Sequence, residues 1–100
     1  MTKLSAPYHP MKFFYVYLLQ SQKDPSSHYT GFTENLTQRV AEHNQGKVPT
    51  TAGRGLWTLL SAHAFTEKSK ALAFEKYLKS GSGREFARGL KKRAEKGVMG

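Results

Sequence analysis

From Lys12 to Gln20 the chain is almost continuously apolar, Phe13-Phe14-Tyr15-Val16-Tyr17-Leu18-Leu19, and its aromatic and β-branched character over so short a run predicts a strand buried on both faces and central in its sheet. Ser21 to Ser27, with Lys23-Asp24-Pro25-Ser26-Ser27 inside it, is dense in turn formers, and His28 to Phe32 resumes an extended pattern. Together they predict an antiparallel hairpin. Residues on one face of a hairpin approach to about 5 Å, so Tyr17 and Tyr29 can converge, although cross-strand aromatic packing would use both rings equally well.

At Asn35 the period lengthens. Asn35 and Gln38 have the spacing of a capping box, Leu36 and Val40 repeat at i, i+4, and Gly46 supplies a left-handed stop, which predicts one short helix. Arg39 and His43, four apart, share a face of it. With Tyr29 just upstream, three side chains able to handle a phosphate and a proton fall close together. Lys47 to Gly55 reads as a loop, basic through Lys47 and Arg54 and hydroxyl-rich through Thr50 and Thr51, as a phosphate-contacting loop would be. Leu56 to Phe65 alternates as a third strand. It is expected to place Trp57, Leu59, Ser61, His63 and Phe65 on one face and Thr58, Leu60, Ala62 and Ala64 on the other, with His63 a strand-face residue rather than a ligand.

Beyond Thr66 the pattern is helical, with Ala71, Phe74 and Leu78 forming an apolar stripe and Glu75 lying within it. A carboxylate there costs on the order of several kcal/mol unless it is paired with a Lys or Arg or bound to a metal. Ser80-Gly81-Ser82-Gly83 ends this helix and starts another, in which Phe86, Leu90 and Ala94 form the stripe. This last helix carries Arg84, Arg88, Lys91, Lys92, Arg93 and Lys96 against Glu85 and Glu95 alone. The expected organisation is a flexible arm over 1–11, a single domain over 12–97 and a frayed tail over 98–100.

Composition narrows the partners. Sixteen Lys and Arg against seven Asp and Glu give a formal charge of +9, which favours a polyanion, with nucleic acid ahead of an anionic membrane surface. There is no apolar run of about 18 residues to span a bilayer and no signal-peptide pattern, so a cytoplasmic protein is expected. The absence of cysteine excludes disulfides and thiolate chemistry, and the four histidines lack zinc-like spacing, so any metal would be a hard ion on oxygen ligands.

In order along the chain these pieces resemble the GIY-YIG nuclease domain, and in particular its small stand-alone bacterial members. Tyr15-Val16-Tyr17 stands at the first triplet and Tyr29-Thr30-Gly31 at the second; Thr33, Leu36, Arg39 and His43-Asn44-Gln45-Gly46-Lys47 follow the family's helix pattern, and Ala71 to Lys79 its later helix. The resemblance runs from about Phe13 to Leu90. Tyr15 replaces a glycine and Thr30 an apolar centre, and no asparagine follows Asn44, so a C-terminal asparagine found in several family nucleases has no counterpart. The resemblance implies an α+β fold, a small three-stranded antiparallel sheet flanked by helices. It also implies a DNA endonuclease, structure-selective or nonspecific, acting in repair or processing with one Mg²⁺ or Mn²⁺ held by Glu75. Arg39 would clamp the phosphate, Tyr17 would act as base with Tyr29 as its hydrogen-bonded partner or the two tyrosines would hold these roles in reverse, and His43 would orient a tyrosine or shuttle its proton. Lys47, Arg54, Arg84, Arg88, Lys91 and Lys92 are the expected nucleic-acid contacts, with RNA an alternative to DNA. The other two readings are a non-catalytic nucleic-acid-binding module and a small basic protein riding on a ribosome or a larger repair complex.

Overall fold

The computed structural model describes residues 12–95, and the anticipated arm at 1–11 and tail at 98–100 lie outside them. Within that span the order is β1 (Phe14–Ser21), β2 (His28–Thr33), α1 (Leu36–Asn44), β3 (Trp57–Phe65), α2 (Lys68–Leu78) and α3 (Gly81–Glu95). The strands form one antiparallel sheet in the order β2-β1-β3. The apolar run is therefore the central strand, and Val16, Tyr17, Leu18 and Leu19 are fully buried. Burying an aliphatic side chain of that size stabilises the fold by about 1.5–3 kcal/mol.

Alternation along β1 divides the core in two. Val16 packs with Ala71 and Leu78 of α2 and Ala87 of α3, joined by Phe14, Phe32, Phe65 and Phe74. On the opposite face Tyr17, Leu19 and Trp57 pack with Tyr29 and with Leu36 and Val40 of α1. The sheet is thus a partition, with α1 on one side and the α2–α3 pair on the other.

Strict alternation fails in β3. Leu18 pairs with Ser61 but Leu19 pairs with Leu59, so Leu60 is an extra residue in a β-bulge. One added residue inverts the side-chain parity beyond it. Trp57 and Leu59 therefore share the face of Tyr17, Ala62 and Ala64, and not that of His63 and Phe65 as the alternation predicted. The bulge is what brings the indole to the α1 side.

The stripe expected on α3 is also displaced. Phe86 is 47% exposed, resting against the rings of Phe74 and Tyr77 at 6.1 and 6.3 Å, while Ala87 is buried. Small residues decide this. A Cβ on Gly83 would strike the backbone of Tyr77 and Leu78, so α3 meets the end of α2 at glycine distance and its line of closest contact runs through Gly83 and Ala87.

The start of α1 follows its sequence signal with a variation. The Asn35 side chain accepts from the Gln38 backbone N–H at 3.2 Å. Gln38 returns a side-chain contact to Asn35 Nδ2 at 3.2 Å, and the Asn35 N–H is taken instead by Thr33 Oγ1 at 3.1 Å. At the other end the Asn44 amide grips the first residue of β3, donating to the Trp57 carbonyl at 3.2 Å and accepting from its N–H at 2.7 Å. This double contact sets the height of α1 over the sheet.

Candidate functional site

Tyr17 faces Gly31 across the β1–β2 ladder, and Tyr29 sits two residues earlier on the same face. A Cβ at position 31 would lie 2.5 Å from Tyr17 Cζ and 2.8 Å from Tyr29 Cε2. The phenol end of Tyr17 therefore lies over Gly31 and uses the volume a side chain would need, and the two tyrosine rings stand 6.2 Å apart. Their convergence is as the hairpin predicted. The hydrogen bond expected between them goes elsewhere: the Tyr17 hydroxyl lies 2.8 Å from His43 Nε2. Tyr29 contacts the imidazole ring instead, at 4.9 Å between centroids.

His43 reaches this position because the periodicity of α1 turns it onto the sheet, where it is 1% exposed. Its other ring nitrogen, Nδ1, lies 2.7 Å from Thr51 Oγ1, and Thr51 Oγ1 lies 3.4 Å from the Val48 carbonyl. Thr51 is also 1% exposed, and Val48 is buried with it. The loop after α1 is thus folded under the helix, and Thr51, expected in an open phosphate-contacting loop, is a buried partner of His43. A buried β-branched apolar residue such as Val48 in an otherwise polar loop was the available hint.

Arg39 occupies the preceding turn of α1. Its guanidinium pairs with Glu42 at 3.0 Å, while its Nε is buried without a hydrogen-bond partner. Burial pushes the Tyr17 phenol up to about 12; the charges of Tyr29 and Glu75 add to the rise, and Arg39 opposes it without reversing it. Arg39 by itself therefore does not bring this pKa down to its ordinary value. Burial, followed by the neighbouring Arg39 charge, lowers the His43 pKa below 6.5. At neutral pH the resting site holds a neutral phenol against a neutral imidazole.

Glu75 lies on α2, half-buried with its side chain 21% exposed, and pairs with Lys79 one turn on at 3.1 Å. Its charge adds to the rise of the Tyr17 pKa. Among the described residues no group of three or more His, Asp or Glu is gathered to hold an ion. A single carboxylate paired with a lysine that is 51% exposed fits, of all ions, only a hard one that keeps most of its own water.

The expected nucleic-acid contacts separate into three places. Arg84, Arg88 and Lys91 line a cavity of about 450 Å³ with Lys79 of α2 and His28 of β2. Lys92 is exposed on α3 outside it. Lys47 follows α1, and its charge helps to hold the Glu42 carboxyl below the usual range, after the Gln38 and Arg39 hydrogen bonds. Arg54 is occupied by structure: it donates to the Thr50 carbonyl at 3.1 Å and to Ser27 Oγ, and lies 5.1 Å over the Trp57 ring. A second opening, of about 270 Å³, adjoins Arg39 and Glu42. No helix among the described residues is long and apolar enough to cross a membrane.

The model of the GIY-YIG catalytic domain matches residues 13–90. Structure-specific endonuclease subunit SLX1 of Mus musculus is 41% identical over 73 residues, which are 66% of this chain and 27% of that protein. The UPF0213 protein BH0048 of Halalkalibacterium halodurans is 40% identical over 62 residues, 61% of this chain and 64% of that one. The UPF0213 protein OB0043 of Oceanobacillus iheyensis is 39% identical over 66 residues, 65% and 74% of the two chains. The chain thus spans little more than a quarter of the SLX1 protein it matches. A solution structure of the UPF0213 protein BH0048 from Bacillus halodurans is similar at 34% identity, covering 79% of this chain and 85% of that one with a TM-score of 0.48.

Proposed function

The chain belongs to the GIY-YIG catalytic domain family, and from that premise we propose that it is a DNA endonuclease hydrolysing phosphodiester bonds with one divalent ion, Mg²⁺ or Mn²⁺. The observation that carries this reading is the meeting of Tyr17, Tyr29, Arg39 and His43 on one sheet face, with Arg39 acting on the Tyr17 phenol and Tyr17 on His43.

The roles follow from the chemistry of each group. Arg39 offers its planar, permanently charged fork to the oxygens of the scissile phosphate, a charge-assisted contact that strengthens as negative charge accumulates. A water that reaches the Tyr17 oxygen, which is fully buried in the resting fold, gives up a proton to it while the phenol passes its own proton to His43 Nε2. Hydroxide forms, the phenol is regenerated and the imidazole becomes cationic. Such a relay avoids free tyrosinate, which a pKa of about 12 makes rare near neutrality. Glu75 would hold the divalent ion, which when bound supplies charge for the leaving oxygen. Lys79, Arg84, Arg88 and Lys91 form a basic track along the β2 edge for flanking phosphates.

Similarity to SLX1, by name a structure-specific endonuclease subunit, supports branched DNA as the first substrate to try, and a repair complex as the setting. The test is nicking of plasmid and branched DNA by the purified chain with Mg²⁺ added or withheld. Cleavage that needs the ion and disappears in Arg39→Ala is the expected result. DNA binding without cleavage under all conditions would refute the enzyme and leave a non-catalytic binding module.

A further inference from the structure

We propose that Thr51 is a positioning residue that holds His43 in the Nδ1–H tautomer, through the hydrogen-bonded chain from the Val48 carbonyl through Thr51 and His43 to the Tyr17 phenol. Its direction is set at both ends. At one end the phenol of Tyr17 is fully buried, and a buried hydroxyl proton needs an acceptor. His43 Nε2, at 2.8 Å, is the partner that can accept it, because the neighbouring Arg39 guanidinium only donates. Nε2 must therefore carry the lone pair, and the ring proton resides on Nδ1. At the other end Nδ1–H faces Thr51 Oγ1 at 2.7 Å, which must accept. The single hydroxyl proton of Thr51 then turns to the Val48 carbonyl at 3.4 Å, an acceptor without any proton of its own. That carbonyl also receives the backbone N–H groups of Thr51 and Ala52 at 3.0 and 2.9 Å, so its position is held by the turn itself.

With His43 and Thr51 each 1% exposed, bulk water is kept from offering the imidazole a different set of partners. The ring is held ready to receive a proton at the nitrogen facing the tyrosine. Reversing the tautomer would leave two donors facing each other across the 2.8 Å contact, or turn the phenol proton towards a site with no acceptor for it.

The consequence for rate rests on the nuclease reading; the tautomer does not, and the two are tested separately. Imidazole nitrogen shifts of His43 in the wild-type chain, read by NMR, should show protonated Nδ1 and unprotonated Nε2. A protonated Nε2 with a bare Nδ1 would overturn the proposal without any variant being made. In Thr51→Val, which keeps the shape and removes the hydroxyl, Nδ1–H is left without its acceptor while the Tyr17 contact remains, so the Nδ1–H preference should weaken, whereas Thr51→Ser should keep it in full; a wild-type pattern in Thr51→Val would equally overturn the proposal. On DNA, Thr51→Val should lower kcat about 10- to 100-fold with DNA affinity unchanged, the size of loss seen when a partner that orients a metal-ligating imidazole is removed, and Thr51→Ser should restore it. If the chain cuts no DNA at all, the nuclease reading fails and the nitrogen shifts still decide the role of Thr51.

Discussion

Tyr17 and Gly31 stand opposite each other in the β1–β2 ladder, and the phenol fills the space that a side chain at position 31 would take. The glycine of the second triplet is thus a steric condition on the tyrosine of the first. In Gly31→Ala the new methyl must displace the Tyr17 ring and, with it, the 2.8 Å contact to His43. Overpacking of this kind costs about 1–3 kcal/mol, and a displacement near 1 Å costs roughly 100-fold in rate. Melting curves beside a nicking assay check both; an alanine variant that cuts at the wild-type rate would show that the ring position is not needed.

The phenol pKa gives a signature at high pH. Tyr17 is pushed up to about 12 from 10.0, first by burial, so the folded chain holds this proton more tightly than the unfolded one. Its contribution to stability is complete below pH 10 and is lost as the pH rises from 10 to 12. Tyrosinate absorbance should therefore contain a late-titrating component that Tyr17→Phe removes. Cleavage should be abolished in the same variant with DNA binding nearly intact, and Tyr29→Phe should be milder.

At the acid end the sign is reversed. The folded pKa of His43 is depressed by burial and by Arg39, so its share of stability is present above pH 6.5 and is lost as the pH falls through the lower folded value. His63, depressed by burial, acts in the same direction. An NMR titration should find the His43 midpoint below 6.5. A midpoint above it would contradict the closed environment around the ring.

For Glu75 stability and activity should separate. Its pair with Lys79 is half-exposed and one turn apart, an arrangement worth roughly 0.3–0.5 kcal/mol. Glu75→Gln should leave the metal-free melting temperature nearly unchanged, while Mg²⁺-dependent cleavage disappears and DNA binding persists. A variant that still cuts would remove Glu75 from ion binding.

Charge placement can be read from salt dependence. If Arg84, Arg88 and Lys91 each contact one phosphate, neutralising all three should flatten the logarithmic salt slope of DNA affinity by roughly three. Neutralising Arg54, already engaged with Thr50, Ser27 and Trp57, should change the slope little. An equal effect from both sets would mean that the cavity on α3 does not select the path of the backbone.

The residues by themselves determined a good deal. Periodicity marked β1 as central, the hairpin, the cap at Asn35 and the break before α3, because these depend on contacts between near neighbours and on backbone preferences. The spacing of Arg39 and His43 set them on one helix face, and hairpin geometry set Tyr17 near Tyr29, again by local rules. Resemblance through the two triplets pointed to the family. Long-range contact decided the rest. Whether a loop hydroxyl such as Thr51 faces a phosphate or a buried imidazole depends on where the loop folds back. The partner of Tyr17 depends on how far α1 is drawn down by the Asn44–Trp57 grip, and the face of Trp57 depends on a bulge paired against β1. None of these has a local signal, since each is a choice among partners far apart in sequence, and only the closed fold determines which partner is within reach.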